Sequence, residues 1–187
     1  MPLSDPAPRE LLHRRDIELR GYRRADGLFD IEATLTDTKT YSFSNQDRGE
    51  IRPGTPLHRM LARMTVDEDM VIRRFEAATE FGPYSVCPQA APNFSALAGL
   101  TVGRGFLRAA NERVGGIKGC THLRELLGQM ATVAFQTMFA VRQKKEAATA
   151  AQRPSMLNSC LAYEDGGVVA RRTWPEWYAN RPPAHSE

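Results

Sequence analysis

After the turn dipeptide Asp26-Gly27, apolar and polar residues alternate, with Phe29, Ile31, Ala33 and Leu35 set against Asp30, Glu32, Thr34 and Thr36. A period of two puts each set on its own face of a strand, and with the preceding residues 15–22 it predicts a β-hairpin. Residues 41–43 are expected to extend the same sheet before a polar loop at 44–56. Met60, Ala62, Met64 and Val66 then alternate with Arg59, Arg63 and Thr65, and a further strand is expected at 71–77. The stretch 14–80 therefore reads as an antiparallel β-meander with one wet face.

Beyond residue 80 the period lengthens. Residues 88–100 and 103–114 carry helical spacing, closed by Gly115-Gly116, and a longer helix is expected over 122–141. Its stripe of Leu123, Leu126, Leu127, Met130, Val133, Ala134, Thr137 and Met138 predicts packing on the sheet. Residues 143–153 are charged or Ala-rich and read as a linker. Residues 156–172 are expected to be extended around Asp165-Gly166-Gly167, and 174–178 to dock as an aromatic cap. Strands followed by helices define an α+β fold, with helices on one face of the sheet. The expected organisation is a flexible leader at 1–13 and one domain over 14–180, with a sheet at 14–80, a helical part at 88–141 and a C-terminal segment at 154–180.

Composition narrows the class. The chain has 187 residues, of which 42% are hydrophobic and 25% charged, as in an ordinary folded domain. The 25 Lys and Arg exceed the 22 Asp and Glu by three, too small an excess for a phosphate-reading surface, so no nucleic-acid partner is expected. The longest apolar stretch, 130–141, is too short to cross a bilayer, and the first residues lack a signal-peptide core. Three cysteines, an odd number, do not make a disulfide framework. A cytoplasmic protein with reduced thiols is expected.

Candidate chemistry lies at the expected helix starts. Cys87 precedes Pro88, the residue suited to a first helical turn, and Cys120 precedes the long helix. Unpaired amides at a helix start favour a thiolate, hence a metal ligand or a nucleophile. Residues two apart inside a helix diverge, but a Cys120 in cap geometry can meet His122 at one ion, with Glu125 accepting from the second imidazole nitrogen. His58 enters the strand after Pro56. The set His58, Cys87, Cys120 and His122 would suit zinc or an iron–sulfur centre. Free cysteines are as often packed as ligating, and Cys160 reads as a packed thiol. His13 and His185 lie in the ends and carry no argument. The pairs Arg14-Arg15, Arg23-Arg24 and Arg73-Arg74 read as a solvated sheet face in preference to a cradle for an anion such as coenzyme A. Gly103-Arg104-Gly105 is half of a phosphate loop only.

The segments PLHRM, SVCPQAAPNF, RVGGIKGCTHLRELLGQMATVAFQT, LNSCLAY and RRTWPEWY together resemble a bacterial domain-of-unknown-function family carrying a GCTHLxELL motif, from Arg9 to about Tyr178. The family pattern places a His after its last cysteine, where this chain has Leu161. A more distant likeness, in order and spacing, is to iron–sulfur cluster scaffold proteins, with Cys87 and Cys120 at the second and third cysteine positions and His58 near the first. Three functions follow as expectations. One is a metal- or iron–sulfur-handling accessory protein with a protein or small-molecule partner. Another is a Cys-dependent enzyme on an acyl or thioester substrate, with Cys120 or Cys87 as nucleophile and His122 as base. The last is a non-catalytic interaction module docking through 174–178.

Overall fold

Strand β2 (Phe29–Lys39) shows how the pattern becomes a layer: its odd-numbered residues from Phe29 to Asp37 are buried while the even ones between them stay partly exposed. The structure is a computed structural model and describes residues 3–148 and 153–181. Around β2 lie β1 (His13–Arg23), β5 (His58–Val66) and β6 (Ile72–Phe81), in the antiparallel order β1-β2-β5-β6. The expected α+β class, an antiparallel sheet with helices, is present. The residues 41–43 do not extend this sheet. Phe43 instead opens a separate two-stranded ladder, β3 (Phe43–Asn45) with β4 (Gly49–Ile51), its tip held by Asn45, which accepts from the amides of Asp47 and Arg48.

Helices cover the apolar face. A 3-10 helix runs over Cys87–Leu97 in place of the expected α-helix. Pro88 suits its first turn, but Pro92 inside it lacks the amide that an α-helical ladder needs. The turn 103–105 then leads into α1 (Phe106–Val114). Helix α2 (Thr121–Thr137) buries Leu123, Leu126, Leu127, Met130 and Ala134 and packs on β1, β2 and β5. It ends at Met138, so the single helix expected over 122–141 is two, the second being α3 (Phe139–Ala148). At Gly21 of β1 an added Cβ would overlap Thr137 Oγ1, so glycine lets the end of α2 approach the strand closely.

The outer face of the sheet is charged but paired. Arg63 binds Glu32, Arg74 binds Glu76, and Arg73 binds Asp67, so the pair Arg73-Arg74 is solvated and ion-paired as expected, whereas Arg15, expected on the solvated face, turns to the covered side and binds Asp37. Thr65, expected on that wet face, is buried and donates to Asp30 at 2.7 Å.

The chain divides into two compact units, 1–138 and 139–187. In the second, Leu157, Ala170 and Trp177 form a small core with Trp174 and Tyr178 against it. The residues 156–172, expected to be extended, instead make a 3-10 turn (Leu161–Tyr163) and α4 (Val168–Thr173), followed by α5 (Pro175–Asn180). Packing of Ala170 into the aromatic core overrides the strand preference of Val168 and Val169. The expected linker 143–153 is helical through Ala148, and 149–152 lie outside the described residues, as do residues 1–2 and His185. Among the described residues, no helix is long and apolar enough to cross a membrane.

Candidate metal centre

Asp37 occupies the position on β2 where the buried phase would call for another apolar residue, and it is only 1% exposed. A carboxylate there needs partners, because burial without them costs several kcal/mol, of the order of 3 or more. Register supplies them. Arg15 on β1 lies opposite Asp37, and Asp37 lies opposite His58 on β5, so three polar side chains form a row across the covered face. Arg15 donates from Nε to Oδ1 at 2.7 Å and from Nη2 to Oδ2 at 2.8 Å, a bidentate fork. His58 Nδ1 lies 3.0 Å from Oδ2, and His13 Nε2, from the first residue of β1, lies 3.2 Å from Oδ1.

The start of α2 completes the cluster. Cys120 is its N-cap, in extended conformation at φ −117° and ψ 132°, and His122 is its second residue. This puts the His122 ring on the His58 ring, with centroids 3.7 Å apart and planes inclined by 30°. His122 Nε2 is 3.7 Å from Asp37 Oδ2, while its other ring nitrogen, Nδ1, is 3.9 Å from Cys120 Sγ. One donor atom each from Asp37, His58 and His122 lie within 4.8 Å of one another, and among the described residues this is the group of three or more such side chains that converges.

The electrostatics prepare these groups for a cation. Burial works to raise the Asp37 carboxyl, yet Arg15, helped by His58 and His13, holds it below its usual 3.8. Burial, and then the neighbouring His122, push His58 below 6.5 against the pull of Asp37, so its imidazole is neutral at pH 7 with a lone pair available. Burial alone would raise the Cys120 thiol; the His122 side chain and the amides of Leu123 and His122 bring it below its usual value instead. Arg15 also donates to Glu125 at 2.5 Å. One guanidinium thus faces two carboxylates, which leaves a negative charge in excess beside the His58 and His122 rings.

Of the residues singled out from the sequence, the structure brings His58 and His122 together and sets Cys120 beside them. Cys87 opens the 3-10 helix and packs over Gly82, where an added Cβ would lie 2.6 Å from its Cβ; it is outside the convergent group. Cys160 is exposed in the second unit. Glu125 takes Arg15 as its partner instead of the His122 imidazole. The unforeseen members are Asp37, Arg15 and His13. Asp37 was legible in one respect, since it continues the buried phase of Phe29, Ile31, Ala33 and Leu35.

Fold and site together define an α+β protein in which a helix start delivers an imidazole to a carboxylate buried at the end of a sheet. A family model described as a protein of unknown function, DUF2889, matches residues 13–136, and the chain belongs to that family. The match spans the whole row from His13 to Glu125 and excludes Cys160. No curated protein and no solved structure matches the chain.

Proposed function

We propose that this chain is a metal-binding protein whose ion is held at the end of the sheet by a centre built from His58, His122 and Asp37. One observation carries the reading: two imidazoles from distant parts of the chain stack face to face while both address the same oxygen of one buried carboxylate. Histidines oriented by an acid are the usual surroundings of a bound transition metal. A tetrahedral ion with bonds of about 2.1 Å separates its ligands by about 3.4 Å, near the spacings in this cluster. The gathered donors are mainly nitrogen and oxygen, which favours a single ion of the zinc class over an iron–sulfur cluster, whose usual ligands are thiolates. Free thiols at Cys87, Cys120 and Cys160 suit action in the reducing cytoplasm.

A second reading rests on the same helix start. Cys120, His122 and Asp37 stand in the order thiol, imidazole, carboxylate, the series of a cysteine nucleophile acting on an acyl group. Metal analysis separates the two. The purified chain, exposed to zinc and dialysed, is expected to retain about one equivalent, with His58→Ala and His122→Ala each losing it while keeping the wild-type circular dichroism. A metal-free wild type in which Cys120 alone is rapidly alkylated would replace the metal reading with the enzymatic one.

A further inference from the structure

Arg15 stands between the two parts of the chain that the centre brings together. Its guanidinium gives Nε and Nη2 to the two oxygens of Asp37 on β2, at 2.7 and 2.8 Å, and Nη1 to Glu125 Oε2 on α2 at 2.5 Å. Glu125 follows His122 by three residues, so the two side chains are neighbours on one face of the helix. One planar, rigid group therefore holds the buried carboxylate of the sheet and the first turns of α2 at a set spacing. That spacing matters because the two imidazoles are held unequally. His58 comes from the strand beside Asp37 and meets Oδ2 at 3.0 Å. His122 meets its polar neighbours at longer range, 3.7 Å to the same oxygen and 3.9 Å to Cys120 Sγ. The seat of α2, more than a close polar contact of its own, sets where the His122 ring lies over His58.

The charge of Arg15 works in the other direction. A permanent cation on both oxygens of Asp37 opposes a metal ion beside Oδ2, so an effect by charge alone would weaken the centre. Glu125, which is half exposed, adds the second negative charge that offsets it. We infer that Arg15 is a positioning residue of the centre, an inference that rests on the metal-binding reading above. Its fork orients Asp37, and its bond to Glu125 seats α2 so that the His122 ring stacks on His58 with centroids 3.7 Å apart. Outer partners that orient the ligands of a metal are worth about 10- to 100-fold in affinity.

The test uses the full chain and two readouts, one of them without metal. The metal-free wild type is expected to show a nuclear Overhauser effect between ring protons of His58 and His122, lost in Arg15→Gln and in Glu125→Ala. Zinc affinity falls about 10- to 100-fold in Arg15→Gln and also in Arg15→Lys, because an ammonium keeps the charge but lacks the fork. The double variant Arg15→Gln, Glu125→Ala binds zinc no more weakly than Arg15→Gln alone, since Glu125 acts through Arg15. Wild-type affinity in Arg15→Lys, tighter binding in Arg15→Gln, or losses that add in the double variant would overturn the inference. So would a ring contact that is absent from the wild type or persists in both single variants. Glu125 is half exposed, so Glu125→Ala decides the matter even where an Arg15 variant does not fold. A ring contact that depends on Arg15, in a wild type that binds no zinc, would overturn the metal-binding reading and leave the positioning of His122 standing.

Discussion

His58 carries a pH dependence whose sign follows from its surroundings. Its folded-state pKa lies below the 6.5 of an unfolded histidine because burial, reinforced by His122, disfavours the imidazolium. Between 6.5 and that lower value the unfolded chain holds more proton than the folded one, so stability falls as pH falls, by at most about 1.4 kcal/mol per pH unit from this group. Asp37 acts lower down. Its carboxyl is depressed from 3.8, so its contribution is complete above 3.8 and is lost as pH drops toward its folded value. In metal-free protein the urea midpoint should therefore decline in two stages on acidification, and His58→Gln should diminish the upper stage and spare the lower. An unchanged upper stage in the variant would show that His58 is not held neutral. At this scale His58, Cys120 and His122 were legible from residue type and from the helix start. Asp37 was legible only as the next position of the buried phase after Leu35, because an acid in that phase becomes intelligible only once Arg15 is known to lie opposite.

Among the elements, the approach of α2 to β1 decides whether His122 reaches the row on the sheet. Gly21 sets that distance against Thr137 near the far end of the helix, where the Thr137 hydroxyl already donates to the Val133 carbonyl at 2.8 Å. Gly21→Ala should lift the helix end and cost about 1 to 3 kcal/mol in urea unfolding, the usual penalty for overpacking. Adding Thr137→Ala should recover much of that loss, giving a favourable coupling of about 1 kcal/mol in the double-mutant cycle. Simple additivity would contradict the contact. The strands and α2 could be read from their periods because each buries one continuous face. Periodicity could not separate the 3-10 helix from an α-helix, a distinction that turns on Pro92. Nor could it foresee α4, where the β-branched pair Val168-Val169 is held helical by packing that involves Trp177, several residues further along.

For the whole molecule, the question is where an ion goes when several thiols and imidazoles compete for it. Cys87 lies over Gly82 and Cys160 is exposed in the other unit, whereas His58, His122 and Cys120 share one end of the covered face. The sequence could name these side chains as donors, but it could not say which meet, since convergence depends on strand order and on the tilt of α2 over β1, β2 and β5. The family match over residues 13–136 covers this end of the sheet and leaves the chemistry to be settled by direct observation. The most direct is an anomalous difference map at the zinc absorption edge from crystals of the zinc-loaded full chain. The account requires one strong peak about 2.1 Å from a ring nitrogen of both His58 and His122. A peak at Cys160 or Cys87 with neither histidine near it, or no peak beside the stacked rings, would contradict it.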